Sequence, residues 1–417
     1  MKVLISIYDF NSQKTGPIYP KERLMGWKLI EQINQRHKLW ILTNSQNRDA
    51  VMTEMAKGKL EKAKVIFIDL SKLKIILYKM GFKEPVYYYF WQFYAWRKAK
   101  QLHKEIKFDM AHQITFGKDW MPGYIGAFLP VPFIWGPIGG GSFVPNELLK
   151  ELCFFVRLVE KWKRVVQRIG RNLWIRRKTL KRSNTILVCT KETKRDIPRK
   201  YHSKIHYFPK KGIKKEEIGP VPKKKQKQKQ FAILSAGRMH RFSGFDLAIR
   251  AFHLFSKENQ NTRLEILGKG KEKKNLEELI EQLDLKYRVK IKPWMERKKL
   301  LSLMQRCDVF FYPGLNDEKG TLIVDAMAQG KPVVGLDIAG PGFHIQKEWG
   351  IKIKPRTKEM VINGLALALE KLYKSEPLRR KLGRAARKRV KDYYIWDEMG
   401  KSMEKIYQSL INPDNVL

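Results

Sequence analysis

Residues 312–342, YPGLNDEKGTLIVDAMAQGKPVVGLDIAGPG, decide the fold of this chain. An apolar run predicts a strand, which leads through a Gly-containing loop into a helix, and a second apolar strand then ends in a Gly-Pro turn. A helix beginning near Gly320 would point the backbone N–H groups of Gly320, Thr321 and Leu322 outward. Such unpaired N–H groups form a natural seat for a diphosphate.

Two aspartates flank this helix start. Asp317, just before it, can accept hydrogen bonds from sugar hydroxyls, and Asp325, further along the helix, can hold a ribose. Taken alone, the spacing is better explained by an N-terminal helix cap with a solvated face. Its meaning therefore depends on the rest of the chain.

Short apolar runs alternate with segments of helical period through both halves of the chain, as in KVLISIY, KLWILT and KVIFIDL early on, and FAILSAG, RLEILGKG and DVFFYPG later. Such alternation predicts parallel sheets with crossover helices. Because 417 residues exceed one ordinary core, we predict α/β architecture with two doubly wound, Rossmann-like domains, residues 1–208 and 231–394, facing a cleft. The Lys-rich residues 209–230 are predicted to be a solvated connection, or alternatively a basic tether to acidic lipid.

The formal net charge of +44, from 85 Lys and Arg against 41 Asp and Glu, is far outside the range of a typical soluble enzyme. It is consistent with an anionic membrane surface, with nucleic acid, or with a biased composition that needs no partner. The sequence has no helix-turn-helix, RNP, KH or zinc-finger motif, which disfavours nucleic acid. Three widely spaced cysteines without C-x-x-C are typical of a reducing compartment.

Three stretches bear on membrane location. The opening MKVLISIYDF meets Asp9 and lacks a small-residue cleavage site, so it predicts a buried strand rather than a signal peptide. Residues 120–146 carry no charge, but five prolines and a Gly-Gly-Gly run exclude a spanning helix. Residues 147–182 combine an apolar stripe at helical spacing with many Lys and Arg, which suits an anionic membrane interface. The alternative is that this stripe, which includes Leu152, Phe155, Val159, Trp162, Val166 and Ile169, packs on the first domain.

These motifs together resemble glycosyltransferase family 4, retaining enzymes of the two-domain GT-B architecture. The E-x(7)-E element of that family, with its EAMA.G.PVV continuation, corresponds to residues 317–334. SAGRMHRFSGFDLAIRAF (235–252) and LEILGKGKEKKNLEELIEQLDL (264–285) match upstream segments in order. In the first half, FDMAHQITFGKDWMPG (108–123) and PFIWGPIGGGSFVP (132–145) resemble a branch with a WGPxGGG segment. The final YYIWDEMGKSMEKIY resembles the closing helix, here residues 395–417, that packs back on the first domain.

The resemblance implies roles for particular side chains. Arg238 would contact the donor diphosphate, although a salt bridge at the strand end is the structural alternative. His112 would lie near the transferred sugar, whereas a lone histidine at a strand end commonly serves packing. The implied catalytic residues are His112, Asp317 and Arg238, and the implied donor-binding residues are Arg238, Gly268, Gly320, Thr321, Leu322 and Asp325. The glycines Gly136, Gly139, Gly140 and Gly141 are assigned to a cleft loop with no ligand chosen, a tight turn being the alternative.

Three positions depart from the family pattern. Ser243 stands before Gly244 where the family commonly has a lysine, although Arg241 or a nearby lysine could replace that contact. Asp325 is one methylene shorter than the usual glutamate. The acceptor-side loop, in which the matching branch often has Gly-Ser-Glu, reads Pro-Lys-Glu, so only Glu22 remains as an acceptor-side candidate.

The resemblance implies transfer of a sugar, with retained configuration, from a UDP- or GDP-sugar to a glycan or lipid-linked acceptor. The resemblance implies that no metal or other cofactor is required. It also implies that the enzyme takes part in the synthesis of a surface polysaccharide or glycolipid. The implied location is cytoplasmic, with peripheral binding to an anionic membrane surface as an expectation. Two other classes stay open: a catalytically weakened nucleotide-sugar-binding homologue or scaffold, and a basic nucleic-acid-binding protein.

Overall fold

The computed structural model describes residues 1–10, 21–80, 84–115, 117–221 and 230–411, without the side chains of residues 21–23 and 115. The chain forms two compact units. One comprises Met1–Gly141, Trp162–Gly212 and Trp396–Leu417, and the other comprises Ser142–Lys161 and Ile213–Ile395.

The first unit contains a sheet in which every described pairing is parallel. Val3 and Ile5 face one hydrophobic core and Leu4 faces another, so the first strand is buried on both sides, as its uninterrupted apolar run predicts. The strands are β1 (Lys2–Ile7), β2 (Lys38–Asn44), β3 (Ala63–Ile68), β4 (Met110–Thr115), β5 (Phe133–Ile138), β6 (Thr185–Val188) and β7 (Ile205–Tyr207), in the order β3-β2-β1-β4-β5-β6-β7.

The second unit repeats this architecture with its own parallel sheet. Ile233 and Leu234 face opposite cores, so this sheet is also covered on both faces. The strands are β8 (Phe231–Arg238), β9 (Thr262–Lys269), β10 (Val289–Lys292), β11 (Val309–Tyr312), β12 (Val333–Leu336) and β13 (Gly350–Ile353), in the order β10-β9-β8-β11-β12-β13. The predicted α/β class, with two parallel-sheet units, is confirmed.

Helices connect the strands, and their burial follows their apolar pattern. The helix after β11 is apolar except for Thr321 and Asp325, and it is buried almost throughout, as expected for a largely apolar helix. The helices are α1 (Lys21–Asn34), α2 (Arg48–Met55), α3 (Ser71–Lys79), α4 (Glu84–Ile106), α5 (Tyr124–Phe128), α6 (Asn146–Leu149), α7 (Phe154–Asn172), α8 (Trp174–Arg182), α9 (Lys191–Arg195), α10 (Phe245–Glu258), α11 (Lys273–Gln282), α12 (Arg297–Arg306), α13 (Thr321–Ala328), α14 (Ala339–His344), α15 (Lys358–Lys374), α16 (Glu376–Tyr393) and α17 (Trp396–Ile411).

Two segments differ from the sequence-based division. Ser142–Lys161 belongs to the second unit and not to the first, because Val144 and Leu148 pack into the core beside α10. The start of the Lys-rich segment is not a solvated connection. Lys210 is buried and its ammonium donates to the carbonyl of Gly117 at 2.9 Å. Residues 222–229 of that segment lie outside the described residues.

The uncharged residues 120–146 contain α5, β5 and the start of α6. No described helix combines the length and the apolar character needed to cross a membrane.

Candidate functional site

The second unit places a backbone turn where the sequence predicts the diphosphate seat. Gly320 has a φ of +51°, and a Cβ there would lie 2.3 Å from His344 Cδ2, so only glycine fits. Helix α13 begins at Thr321 immediately afterwards, and no side-chain hydrogen bond caps its start among the described residues. Because the first N–H groups of a helix lie outside its own hydrogen-bond ladder, those of Thr321 and Leu322 are available to an anion.

Asp317 precedes this helix start, and its carboxylate is held by two donors. The Tyr312 hydroxyl donates to Oδ2 at 2.8 Å, and the backbone N–H of Lys319 donates to Oδ1 at 3.0 Å. Burial, followed by the neighbouring Asp317 charge, raises the pKa of Tyr312 well above its ordinary value, so the phenol stays protonated and keeps donating. The orientation of the Asp317 carboxylate is therefore fixed by the loop itself.

Arg238 is the last residue of β8, and its side chain is exposed. The charges of Arg238 and Asp317 both act on the pKa of His240. Burial and then the Arg238 charge lower the pKa of His240, whereas the Asp317 carboxylate acts in the opposite direction. The structure thus brings Arg238, His240 and Asp317 together in the second unit, as the C-terminal ends of neighbouring parallel strands require.

The side chains of Ser243 and Arg241 are engaged with partners in the protein. The Ser243 hydroxyl donates to the backbone carbonyl of Arg238. The guanidinium of Arg241 pairs with Glu272, with Nε 3.2 Å from Oε1, and also contacts the thiol of Cys153. In this conformation Arg241 is committed to these partners.

Asp325 has a different environment from the one predicted. Its side chain is completely buried, and Arg297 donates to both carboxylate oxygens, at 2.9 and 3.0 Å. Arg297 also pairs with Glu217. Burial alone would lower the pKa of Arg297, but its hydrogen bonds to Asp325 and Glu217 raise it above the ordinary value. Asp325 presents no surface to a ligand in this conformation, so its ribose contact stays a prediction that requires local rearrangement.

Gly268 lies in β9, where it allows two backbones to approach closely. A Cβ there would lie 2.1 Å from the carbonyl oxygen of Gly237, its partner in β8. The glycine is therefore required by strand packing. A donor contact at Gly268 stays a prediction.

His112 lies in β4 of the first unit and is completely buried. Its Nε2 is 2.7 Å from the carbonyl oxygen of Gly136, which can only accept, so Nε2 carries the hydrogen. Its Nδ1 then accepts from the Tyr407 hydroxyl at 2.8 Å. Burial lowers the pKa of His112 from 6.5 to about 4. His112 is thus a neutral group with both nitrogens engaged, and it has no exposed surface to offer a sugar.

The predicted cleft loop also lies in the first unit. Gly136 has a φ of +132°, and a Cβ there would lie 2.4 Å from the Leu187 carbonyl oxygen. A Cβ on Gly140 would approach Asp119 Oδ1 to 2.9 Å, and the Gly139 N–H donates to Gly117. A Cβ on Gly141 would lie 2.6 Å from the backbone nitrogen of Thr193. Close backbone packing accounts for these glycines, and their ligand remains unassigned.

His344 is a site residue that the sequence analysis missed. Its Nε2 is 3.0 Å from the Lys319 carbonyl oxygen, and its Nδ1 is 2.7 Å from the Tyr394 hydroxyl. Burial lowers its pKa to about 4. His344 thereby supports the loop that carries Asp317 and packs against Gly320. The available signal was weak, because a histidine shortly after a Gly-Pro-Gly sequence is not distinctive, and these residues form α14.

The buried histidines His112 and His344 predict acid sensitivity. The pKa of His112 is about 4 in the folded protein, below the ordinary 6.5, so the unfolded chain binds more protons between these values. The contribution of this histidine to the free energy of unfolding is therefore fully present above about pH 6.5 and is lost as the pH falls towards 4. We expect a loss of about 2 kcal/mol from the first unit between roughly pH 7.5 and pH 5, and a similar loss from the second through His344. Urea unfolding followed by circular dichroism measures it.

A variant of the exposed His206, His206→Gln, should keep this pH profile. His112→Gln should remove the part of the pH profile that His112 contributes, because that titrating group is gone. Stability that is independent of pH from 7.5 to 5 in the unmodified protein would contradict the assignment.

The described residues contain no group of three or more His, Cys, Asp or Glu side chains placed to hold a metal ion. The candidate acceptor residue Glu22 falls in the first turn of α1, but its side chain lies outside the described residues. The assembled site is therefore the loop of the second unit around Asp317, Gly320 and Arg238.

Comparison with known proteins gives this loop a family context. Residues 219–389 match the family described as "Glycosyl transferases group 1". An uncharacterized glycosyltransferase of Methanocaldococcus jannaschii, MJ1607, is 28% identical over 177 residues, which cover 42% of this chain and 44% of that protein. The chain matches about two fifths of the length of its first curated relatives.

Solved structures share the fold over nearly the whole chain. Sucrose-phosphate synthase from Thermosynechococcus elongatus gives a TM-score of 0.62 at 15% identity, covering 99% of this chain and 100% of the other. Anabaena Alr3699/HepE, in complex with UDP and glucose, gives a TM-score of 0.58 at 13% identity, covering 98% and 100%. At these identities the likeness concerns the fold alone.

Proposed function

We propose that this protein is a retaining glycosyltransferase that moves a sugar from a nucleotide-sugar donor to a glycan or lipid-linked acceptor. The observation that carries the proposal is the fixed Asp317 carboxylate beside the uncapped start of α13. A carboxylate and an anion-binding helix start, adjacent in one loop, suit a ligand with sugar hydroxyls on one side and a diphosphate on the other. The match of residues 219–389 to glycosyl transferases group 1 supports this assignment.

Each group has a distinct role in the proposed reaction. The N–H groups of Thr321 and Leu322 and the guanidinium of Arg238 stabilise the negative charge that develops on the departing nucleoside diphosphate. Asp317 accepts hydrogen bonds from the sugar and orients it. The bond from the anomeric carbon to the phosphate oxygen breaks, and the acceptor oxygen bonds to that carbon on the same face. The acceptor proton leaves with the diphosphate, without a required metal ion.

His112 has a supporting role in this proposal. A side chain that lines the transferred sugar needs exposed surface, and His112 has none. Its hydrogen bond to the Gly136 carbonyl instead fixes the start of the loop that includes Gly139, Gly140 and Gly141. We therefore assign His112 as a positioning residue.

A second candidate function is a homologue that binds a nucleotide-sugar but turns it over weakly. Two observations favour it. Asp325 is committed to Arg297, and the Ser243 hydroxyl is committed to a backbone carbonyl instead of extending towards a diphosphate. This candidate predicts donor binding without release of nucleoside diphosphate.

A donor screen tests both candidates. Uridine donors are the first choice because Anabaena Alr3699/HepE is complexed with UDP and glucose, and guanosine donors follow. A true donor at about 100 times its Kd should stabilise the protein by about 2.7 kcal/mol, visible as a rise in melting temperature. Chromatographic measurement of nucleoside diphosphate release then separates an enzyme from a binding homologue. Stabilisation by no nucleotide-sugar, together with no release, would refute both candidates.

A further inference from the structure

Helix α7 exposes its apolar side chains to solvent. The aromatic residues are the clearest case: Phe155 is 76% exposed and Trp162 is 67% exposed. Surface helices of globular proteins bury their apolar stripe and expose their polar face. The apolar residues exposed along α7 are Phe154, Phe155, Leu158, Val159, Trp162, Val165, Val166 and Ile169, and Trp174 at the start of α8 is exposed as well.

The polar side of α7 faces the protein. Arg171 donates from Nε to Asp119 at 2.8 Å and pairs with Asp196 at 2.9 Å. Gly170 packs so closely on Trp120 that a Cβ would approach its carbonyl oxygen to 2.9 Å. Glu160, on the same side, is buried. These contacts fix the rotation of the helix, so the alternative in which the stripe packs on the first domain is not what the structure shows.

The charges around the stripe are distributed in a regular way. At about 100° per residue, the eight exposed apolar positions of α7 occupy an arc of roughly 140°. Lys163 borders one edge of this arc, and Lys161 and Arg168 border the other, all three exposed. Between residues 154 and 182, eleven Lys and Arg accompany a single acidic residue, Glu160. The exposed stripe is therefore framed by positive charge on both sides.

We propose that α7, together with Trp174, is a docking surface for an anionic lipid bilayer and lies parallel to the membrane plane. The stripe buries its apolar side chains among the acyl chains, and the bordering cations contact lipid phosphates. Aromatic residues such as Phe155, Trp162 and Trp174 are typical of this interfacial depth. The 19 residues of α7 span about 28 Å, but only one side is apolar, so the helix lies on the bilayer.

Charge decides between a bilayer and a protein partner. The centres of protein interfaces are depleted in Lys, and the polar rims around them are of mixed character. Along α7, by contrast, the apolar stripe is bordered by positive charges over its whole length. A bilayer that contains negatively charged lipid is complementary both to the apolar stripe and to the cations that border it. The proposal does not depend on catalysis, because lipid binding is measured without a donor.

Flotation of the full chain with vesicles tests the apolar stripe. The chain should float with phosphatidylcholine vesicles that contain phosphatidylglycerol and should stay at the bottom with phosphatidylcholine alone. Trp162→Glu should weaken the binding about tenfold or more, because it replaces buried aromatic area by a charge of the wrong sign. Leu367→Glu, at a site that is 64% exposed in α15, is the matched control and should float normally.

The bordering cations are tested separately. The triple variant Lys161→Gln, Lys163→Gln, Arg168→Gln should bind anionic vesicles roughly a hundredfold more weakly, given the contribution of each cation near such a surface. A control variant that neutralises the exposed Lys271, Lys286 and Lys298 should bind like the unmodified chain. Circular dichroism and melting temperature establish that every variant is folded, as expected for exposed positions.

Other outcomes overturn the proposal. Equal flotation with both vesicle types would show that binding needs no anionic lipid. Equal loss in the test and control variants would show that α7 is not the binding surface. If the unmodified chain ignores vesicles but light scattering shows a dimer that Trp162→Glu dissociates, the stripe is an interface between copies of this chain. Because donor release is assayed in detergent-free solution without lipid, a failure of lipid binding is distinguishable from a failure of the proposed function.

Discussion

Asp317→Ala is expected to lower the rate constant of donor turnover roughly 10²–10³-fold while leaving the fold intact. The carboxylate is oriented by the Tyr312 hydroxyl and the Lys319 N–H, so it meets the sugar in one geometry without reorganisation. Interactions that strengthen in the transition state appear in kcat more than in KM. Release of nucleoside diphosphate at saturating donor concentration measures the effect.

Asp317→Asn separates charge from hydrogen bonding. The amide oxygen of Asn can still accept from the Lys319 N–H, so the loop keeps its shape while the negative charge is lost. A rate close to that of Asp317→Ala would assign the effect to charge, and a rate close to normal would assign it to loop support. Near-normal turnover in Asp317→Ala itself, in a folded protein, would remove Asp317 from the catalytic site.

Arg238→Ala should produce a loss of similar size, because its guanidinium is the exposed cation at the end of β8. Arg241→Ala is the matched control. Arg241 lies three residues away and is paired with Glu272, so its removal should change turnover less than about threefold if it has no diphosphate contact. A large loss in Arg241→Ala would show instead that Arg241 leaves Glu272 to replace the missing lysine.

Local features of the sequence predicted the framework of the donor loop. The apolar runs that form β8 and β11 are buried on both faces, which is what uninterrupted apolar strands predict. The start of α13 follows from Gly320, because a positive φ before an apolar helical run is a backbone requirement that one residue type meets. Such features depend on a few neighbouring residues.

Long-range partners could not be predicted in the same way. Tyr407 is 295 positions from His112, and Arg297 is 28 positions from Asp325. Burial and hydrogen bonding to these partners change the chemistry of His112 and Asp325. Neither partner can be recognised from a spacing in the sequence. The position of Ser142–Lys161 in the second unit likewise depends on tertiary packing.

The orientation of α7 shows the limit of periodicity as evidence. The spacing establishes that the helix has an apolar side and a basic side. It is the same whether the apolar side packs on the protein or faces outward. The contacts of Arg171 with Asp119 and Asp196 determine the rotation, and they involve residues outside the helix. Only the structure could decide between the two.

Arg297→Met is expected to destabilise the second unit by about 3–5 kcal/mol, because it leaves the carboxylate of Asp325 buried without its bidentate partner. The variant should partly recover at low pH. Without Arg297, burial raises the pKa of Asp325 above that of the unfolded chain, so the deficit is complete at high pH and shrinks as the pH falls through the raised pKa. Urea unfolding at neutral and acidic pH measures both effects.

Lys298→Met, at the adjacent exposed position of α12, is the matched control and should change stability by less than about 0.5 kcal/mol. The double variant Arg297→Met, Asp325→Asn should be more stable than Arg297→Met alone, because the buried charge is removed together with its partner. If Arg297→Met is as stable as the control at neutral pH, Asp325 must reach another cation or solvent. The buried carboxylate would then be mobile enough to approach a ribose, and the prediction from the family pattern would regain its physical basis.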